Sequence, residues 1–377
     1  MGYFIRGTGD NRTPKDHEKE IFKQYIRNTT FSAYMGKRGS GKSIIMDDKA
    51  FAGMGVGDTR AYHFVPQYMG TGIRGQNASI EGNEKSIQEF MTEVKVDQLA
   101  QAFRKKGKMT DRRTIINLRA EFKEQLTNWF KLWTEFDIID ALTGYKFDGA
   151  SYIDGFSRDD ATGEIIISGN AMSIPLVKGK GRCFRPDHTT TGFKNIIVPE
   201  ENTSNEALLR DMVPEDIMNT KLLDSLQNFA KTAGKYAMKP VRLKDGREYY
   251  ILILHPTAAE QLRSDERWEK RVLANYQSCR SLESDPIATG AMGVWEKIIV
   301  KEADYIPAVS NNNVSIARNL LLGADAAVMA YAQTIDYKEK TFDYDREMGV
   351  AADEIRGVKK LDFDGIDLNI AQVPCAI

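Results

Sequence analysis

Gly36-Lys-Arg-Gly-Ser-Gly-Lys42-Ser43 is the stretch of this 377-residue chain whose residue types and spacing best match a chemical device. It satisfies the pattern G-x-x-x-x-G-K-[ST] at every position. In a phosphate loop, the backbone from Gly36 to Gly41 would wrap phosphate oxygens. Lys42 would reach the β/γ oxygens and Ser43 would hold Mg²⁺. The chemistry would be nucleotide binding and hydrolysis. Its mechanics require a buried strand before the loop and a helix after it. Upstream, Thr30-Phe-Ser-Ala-Tyr-Met35 is short and half-polar. Downstream, Ser43–Phe51 allows at most two helical turns before Gly53, Gly55 and Gly57. A second Mg²⁺ ligand needs an apolar strand ending in Asp. The run Tyr249–Leu254 ends instead in His255-Pro256, and Ile138-Ile139-Asp140 falls in a long helical pattern. The motif therefore reads as a decoy in a glycine-rich turn, with a phosphate-loop NTPase as the alternative.

Other constellations are weaker. Cys183, Cys279 and Cys375 lie far apart, and His17, His63, His188 and His255 have no partner three or four residues away. Metal sites need clustered ligands, so none is expected. Asp47-Asp48, Asp159-Asp160 and Asp362/Asp364/Asp367 lack a matching base and read as solvated faces. Serines are not set in a nucleophile elbow. Trp129, Trp133, Trp268 and Trp295 are too separated in sequence for a base-stacking platform and read as core. Arg104-Lys105-Lys106 and Arg112-Arg113 form the densest basic patch. No catalytic residue and no cofactor is expected.

The elements around these residues follow from periodicity. Residues 1–14 form a polar arm, and an amphipathic helix over Lys15–Asn28 places Ile21, Phe22, Tyr25 and Ile26 on one face. Ten glycines between Gly36 and Gly82 point to an extended hairpin with strands Thr59–Met69 and Ile87–Asp97. In the second strand Phe90, Thr92, Val94 and Val96 alternate with polar neighbours. A long helix over Thr110–Leu142, stopping at Gly144, would carry Ile115, Leu118, Phe122, Leu126, Trp129, Trp133 and Phe136 as one buried stripe. A helix is expected over 214–233, with Pro214 at its start and Gly234 past its end.

Tyr249–Leu254 has the bulk of a strand buried on both faces. Thr257-Ala-Ala-Glu260 reads as a capping box opening a helix, and a further helix carries Trp268 and Leu273. Gly293–Lys301 is extended. Arg318–Tyr331 reads as a strand passing through Gly323 into a small-residue helix, and the tail from Thr334 is polar and extended.

In order along the chain, Gly70-Thr-Gly-Ile-Arg-Gly75, Glu81-Gly-Asn-Glu84, Arg112-Arg-Thr114, Tyr250-Ile-Leu-Ile-Leu-His-Pro256, Arg267-Trp-Glu-Lys-Arg-Val272, Thr289-Gly-Ala-Met-Gly-Val-Trp295 and Arg318-Asn-Leu-Leu-Leu-Gly-Ala324 resemble phrases of the major capsid proteins of N4-like tailed phages. The resemblance spans roughly Phe31 to Leu361. It implies an α+β, HK97-like capsid fold. An N-terminal arm and glycine-rich segment (1–57) precede the extended loop hairpin (58–97). A peripheral domain with a spine helix (98–212) and an axial domain (213–333) follow, and 334–377 return to the periphery.

The implied function is an icosahedral phage head of hexamers and pentamers around double-stranded DNA, assembled in the host cytoplasm. Scaffolding and portal proteins would be partners, and a cellular nanocompartment shell is an alternative. Arg74, Glu81 and Glu84 are the implied subunit contacts, and the segment Asp10–Lys23 would lie across another subunit. Charge fits a container better than a polycation, since Lys+Arg at 52 against Asp+Glu at 53 leaves a net charge of -1. No apolar run approaches the ~20 residues needed to span a bilayer, so no membrane partner is expected.

Overall fold

A computed structural model describes residues 12–37, 43–49, 58–64, 81, 84, 89–106, 118–146, 148–153, 156–159, 165–167, 183–186, 193–196, 212–232, 238–243, 246–274, 290–311, 314–344, 346–363, 366–367 and 369–377. The chain runs through α1 (Arg12–Asn28), a tighter helical turn at Ser32–Tyr34, and short strands β1 (Met35–Gly36) and β2 (Ile45–Asp48). The hairpin β3 (Thr59–Phe64) and β4 (Phe90–Lys95) comes after them, then β5 (Asp97–Lys105) and the long helix α2 (Leu118–Thr143). Four short strands come next: β6 (Phe156–Arg158), β7 (Ile165–Ile167), β8 (Cys183–Pro186) and β9 (Phe193–Ile196). α3 (Thr220–Thr232) leads to β10 (Val241–Arg242), β11 (Glu248–Leu254), α4 (Pro256–Arg263) and α5 (Glu266–Ala274). The remaining elements are strands: β12 (Gly293–Trp295), β13 (Ile298–Glu302), β14 (Ala308–Asn311), β15 (Val314–Leu322), β16 (Ala327–Phe342), β17 (Glu347–Lys360), β18 (Asp362–Phe363), β19 (Ile366–Asp367) and β20 (Ile370–Ala376).

Two sheets organise the described core. The larger runs β12-β13-β11-β15-β20-β8-β9, with β10 on β11 and β14 on β15. β11 sits inside it, parallel to β13 and antiparallel to β15. Successive side chains of a strand point to opposite faces. Ile251 and Ile253 therefore join Ile138 and Ile139 of α2 on one side. Tyr250, Leu252 and Leu254 meet Leu222, Leu226, Ala258 and Leu262 on the other. Each such buried aliphatic side chain contributes about 1.5–3 kcal/mol of transfer free energy. The smaller sheet runs β1-β2-β16-β17-β5, and α1 and α2 pack against it.

Several expectations are corrected. The residues just after Gly323 form no helix. Ala327–Tyr331 begins β16, which pairs in parallel with β2 and antiparallel with β17. Its alanines favour helix, but all five residues are buried, and strands on both sides claim their backbone groups. Gly293–Lys301 is a tight hairpin of β12 and β13 turning at Glu296, where φ is 51°. α3 starts at Thr220 and not at Pro214. Asn219 Oδ1 accepts from the Leu222 N–H at 2.9 Å, which is an N-cap, while Pro214 lies in a preceding turn. The cap of α4 is His255 in place of Thr257: His255 Nδ1 accepts the Thr257 N–H at 3.3 Å, with Pro256 in the first turn.

α2 ends where expected, with Gly144 at φ 90°. Its 26 described residues span about 39 Å. The apolar stripe does not persist as a single face, however. From Thr134 to Thr143 the helix is buried all round, polar residues included, while Trp133 is half-buried. Residues 110–117 of the expected helix, Ile115 among them, lie outside the described residues.

α1 packs on its own subunit through the face that carries Ile21 and Tyr25. Ile21 and Tyr25 are buried among Leu126, Phe130, Ile335 and Val350 of the same chain. Sheet membership crosses the expected domain boundaries as well. β16 begins in the smaller sheet at Ala327, and β20 returns to the larger one.

Candidate functional site

The glycine-rich motif folds as a link between parallel strands. Met35 and Gly36 of β1 lie beside Ile45 and Met46 of β2. Gly36 is required by crowding, because a Cβ there would stand 2.8 Å from Ser43 Cβ. Ser43 is only 2% exposed. Its hydroxyl donates to the Lys37 carbonyl at 3.5 Å, and its carbonyl accepts the Asp325 N–H at 3.0 Å. The chain leaves Ser43 into strand β2, so the helix N-terminus that would stabilise phosphate is missing at that position. Gly41 and Lys42 lie outside the described residues. The adjacent carboxylates have structural partners: Asp48 accepts from the Tyr62 hydroxyl at 2.9 Å and pairs with Arg60 at 2.8 Å. Asp47 pairs with Lys49 at 3.1 Å, and burial raises its pKa.

The hairpin arm rises from the smaller sheet. β3 and β4 pair antiparallel from Thr59↔Lys95 to Phe64↔Phe90. Tyr62, Val94 and Val96 are buried with Met46, Val328 and Leu361 of the same subunit, while Met91 on the opposite face is 55% exposed. Thr92 donates its hydroxyl to the Asp362 carbonyl at 2.7 Å. Arg74 lies outside the described residues. Glu81 and Glu84 are exposed.

At the arm's base the chain passes from β4 to β5, changing partner from β3 to β17. The Lys95 carbonyl is held there between two glycines. A Cβ on Gly357 would stand 2.0 Å from that oxygen, and one on Gly149, whose φ is +108°, would stand 2.8 Å away. Three backbone bonds complete the joint. The Lys95 N–H donates to Asp148 at 2.8 Å, Val96 to Asp58 at 2.9 Å, and Val358 to Gly149 at 3.0 Å.

Behind this joint lies a buried ionic network. Arg356 bonds Asp137 at 2.8 Å and Glu354 at 2.7 Å and also donates to Thr134. Lys146 pairs with the second oxygen of Asp137. Burial works against ionising Asp137, but Lys146 and Arg356 overcome it and hold its pKa below the usual range. Glu354 is shifted the other way, upward, because burial outweighs the attraction of a guanidinium it shares with Asp137. Asp140 is raised chiefly by burial although Arg158 grips it through two 2.6 Å bonds. A 160 Å³ cavity lies over Asp137, Lys146, Tyr152, Trp133 and Arg356. Arg356 faces both Asp137 of α2 and Glu354 of β17, so the network ties the helix to the strand.

Periodicity gave no sign of this network, since charged residues at 134–143 scan as the solvent face of a helix. Nor did sequence spacing show that Trp268 and Trp295 stack at 6.0 Å with 17° between their planes. Trp295 donates its indole N–H to Asp224 at 2.7 Å, which shows a core role. Arg104, the described start of the basic patch, is paired with Glu347 and lies over the Phe342 ring at 4.3 Å. Among the described residues no group of His, Cys, Asp and Glu could hold a metal, and no helix is long and apolar enough to cross a membrane.

Two sheets, a β-hairpin rooted on the smaller one and a spine-like helix make an HK97-like α+β fold. The fold is similar to the capsid of Ralstonia phage GP4, with a TM-score of 0.67 and 20% identity, covering 92% of this chain and 90% of that one. It is similar also to the cyanophage Pam1 capsid asymmetric unit, with a TM-score of 0.68 and 20% identity, covering 100% and 99%. The chain belongs to the phage capsid protein family, which it matches over residues 7–372. It is 26% identical over 315 residues to the major capsid protein of Pseudomonas phage KPP25, covering 80% of this chain and 77% of that protein.

Proposed function

We propose that the chain is the major capsid protein of a tailed phage and works by assembly, without catalysis. Copies form hexamers and pentamers of an icosahedral head that encloses double-stranded DNA and is built in the host cytoplasm with scaffolding and portal proteins. The family match over residues 7–372 carries this reading. Near-zero net charge supports a container that holds DNA non-specifically. The arm 58–97 is the reaching element, with Arg74, Glu81 and Glu84 as its contacts. Its locked base supports that role, because a rigid root gives each copy's arm the same direction. The strand after Ser43 argues against nucleotide hydrolysis.

Electron microscopy of the purified full chain tests the proposal. Closed shells of uniform size are expected. Soluble protein that forms none, alone or with co-expressed scaffold, would overturn it.

A further inference from the structure

The 160 Å³ cavity behind the arm's root combines two kinds of lining. Trp133 of α2, Leu99 of β5 and Val358 of β17 are apolar, with the Tyr152 ring beside them. Lys146 and Arg356 are cationic. Asp97 and Gln98 of β5 are exposed and form its solvent side.

The acids around these cations do not use up their donors. Arg356 is 4% exposed. Its two terminal nitrogens serve Glu354, Thr134 and Asp137, but its Nε is buried with no hydrogen-bond partner. Lys146 donates to Asp137 Oδ1 and lies 4.8 Å from the centre of the Tyr152 ring. An ammonium carries three N–H donors, so one carboxylate oxygen does not exhaust it. The acids, by contrast, are engaged. Asp137 gives one oxygen to Lys146 and the other to Arg356. Asp140 is held by Arg158, and Glu354 by Arg356 and the Tyr25 hydroxyl. Asp97 is exposed and accepts the Gln98 N–H at 2.8 Å. A buried guanidinium N–H without an acceptor costs free energy, and a carboxylate is among its strongest partners.

Size selects the rest of the ligand. An apolar cavity of about 150 Å³ in a protein interior accommodates benzene. Small-molecule sites pair such walls with a few convergent polar groups. We propose that this cavity binds a small aromatic carboxylate, its ring against Trp133 and Leu99 and its carboxylate on Arg356 Nε and Lys146. Inorganic phosphate would leave the apolar lining uncovered, and a neutral ring would leave Nε unpaired. Gly149 and Gly357, which hold the Lys95 carbonyl, also line the cavity, so an occupant lies against the arm's root. The inference stands independently of the shell reading.

The test follows thermal melting of the free full chain with sodium benzoate, benzamide or sodium phosphate at matched ionic strength. Benzoate should raise the melting temperature saturably, by roughly 3 °C at a hundredfold excess over Kd. Benzamide and phosphate should do far less. Ala150 lines the cavity, and Ala150→Leu, which fills it, should lose the benzoate shift. Indole N–H NMR signals locate the site even if that variant does not fold. The signal that benzoate displaces most should be the one absent from Trp133→Phe. No melting shift with benzoate, or an equal shift with benzamide or phosphate, overturns the proposal. So does displacement of a different indole, or a folded Ala150→Leu that keeps the full shift.

Discussion

The Tyr25 hydroxyl donates to Glu354 Oε2 at 2.8 Å, joining side chains 329 positions apart. Through it α1 is fastened to β17 and to the Arg356 network. Phe22 adds edge-on contacts to Tyr25 at 5.5 Å and Tyr331 at 5.7 Å. Tyr25→Phe keeps the ring and removes the donor from a buried carboxylate. It should destabilise the subunit by about 1–3 kcal/mol. A urea midpoint shift at constant slope would measure this.

His255 makes the subunit's stability depend on pH. Burial lowers its pKa from 6.5, with Glu302 opposing weakly, and the neutral Nδ1 is the acceptor that caps α4. For a His with a depressed folded pKa, the unfolded state binds the proton first. The contribution is therefore complete above about pH 6.5 and is lost as pH falls through the lower, folded value. His255→Asn keeps a capping acceptor that does not titrate. Thermal melting of that variant should lack the wild-type decline that begins below pH 6.5.

The glycine joint predicts a sharp sensitivity at one atom. Gly357→Ala places a methyl 2.0 Å from the Lys95 carbonyl, backbone that cannot swing aside. The loss should be about 1–3 kcal/mol by overpacking, measured by denaturant unfolding. Shells from surviving subunits should be fewer, because the arm's root has moved.

Glu84→Lys tests the arm's other end. Glu84 is exposed, so the isolated subunit should still fold. Closed shells should decline, most at low salt where repulsion is least screened. Equal assembly across a salt series would remove Glu84 from the contacts.

Lys42→Ala separates the decoy from a true phosphate loop. Wild type should show no Mg²⁺-dependent ATP turnover, and the variant should assemble normally. Hydrolysis in wild type that is abolished by Lys42→Ala would restore the nucleotide reading.

Much of this architecture was legible where one periodicity dominated. β11, the β3–β4 hairpin, α1 and the end of α2 at Gly144 all follow from spacing and a single glycine. Legibility failed where distant partners overrode local preference. Ala327–Tyr331 is alanine-rich, yet β2 and β17 flank it and make it a strand. Asp137, Asp140 and Glu135 look like a solvated helix face, but Lys146, Arg158, Arg356 and Thr30 arrive from elsewhere to satisfy them. For the candidate contacts, the sequence pointed to the arm by resemblance.

The position of β20 sets a timetable for synthesis. This strand lies between β15 and β8, pairing with Ile316–Leu322 on one side and bridging Gln372 to Cys183 on the other. At ribosomal rates of about 5–20 residues per second, β8 emerges roughly 10–40 s before the strand that joins it to β15. Until then the larger sheet is two pieces with open edges, which invite chaperones or misassociation. A nascent chain therefore cannot present a finished shell subunit. The larger sheet can close only once Ile370–Ala376 is available to join β15 to β8.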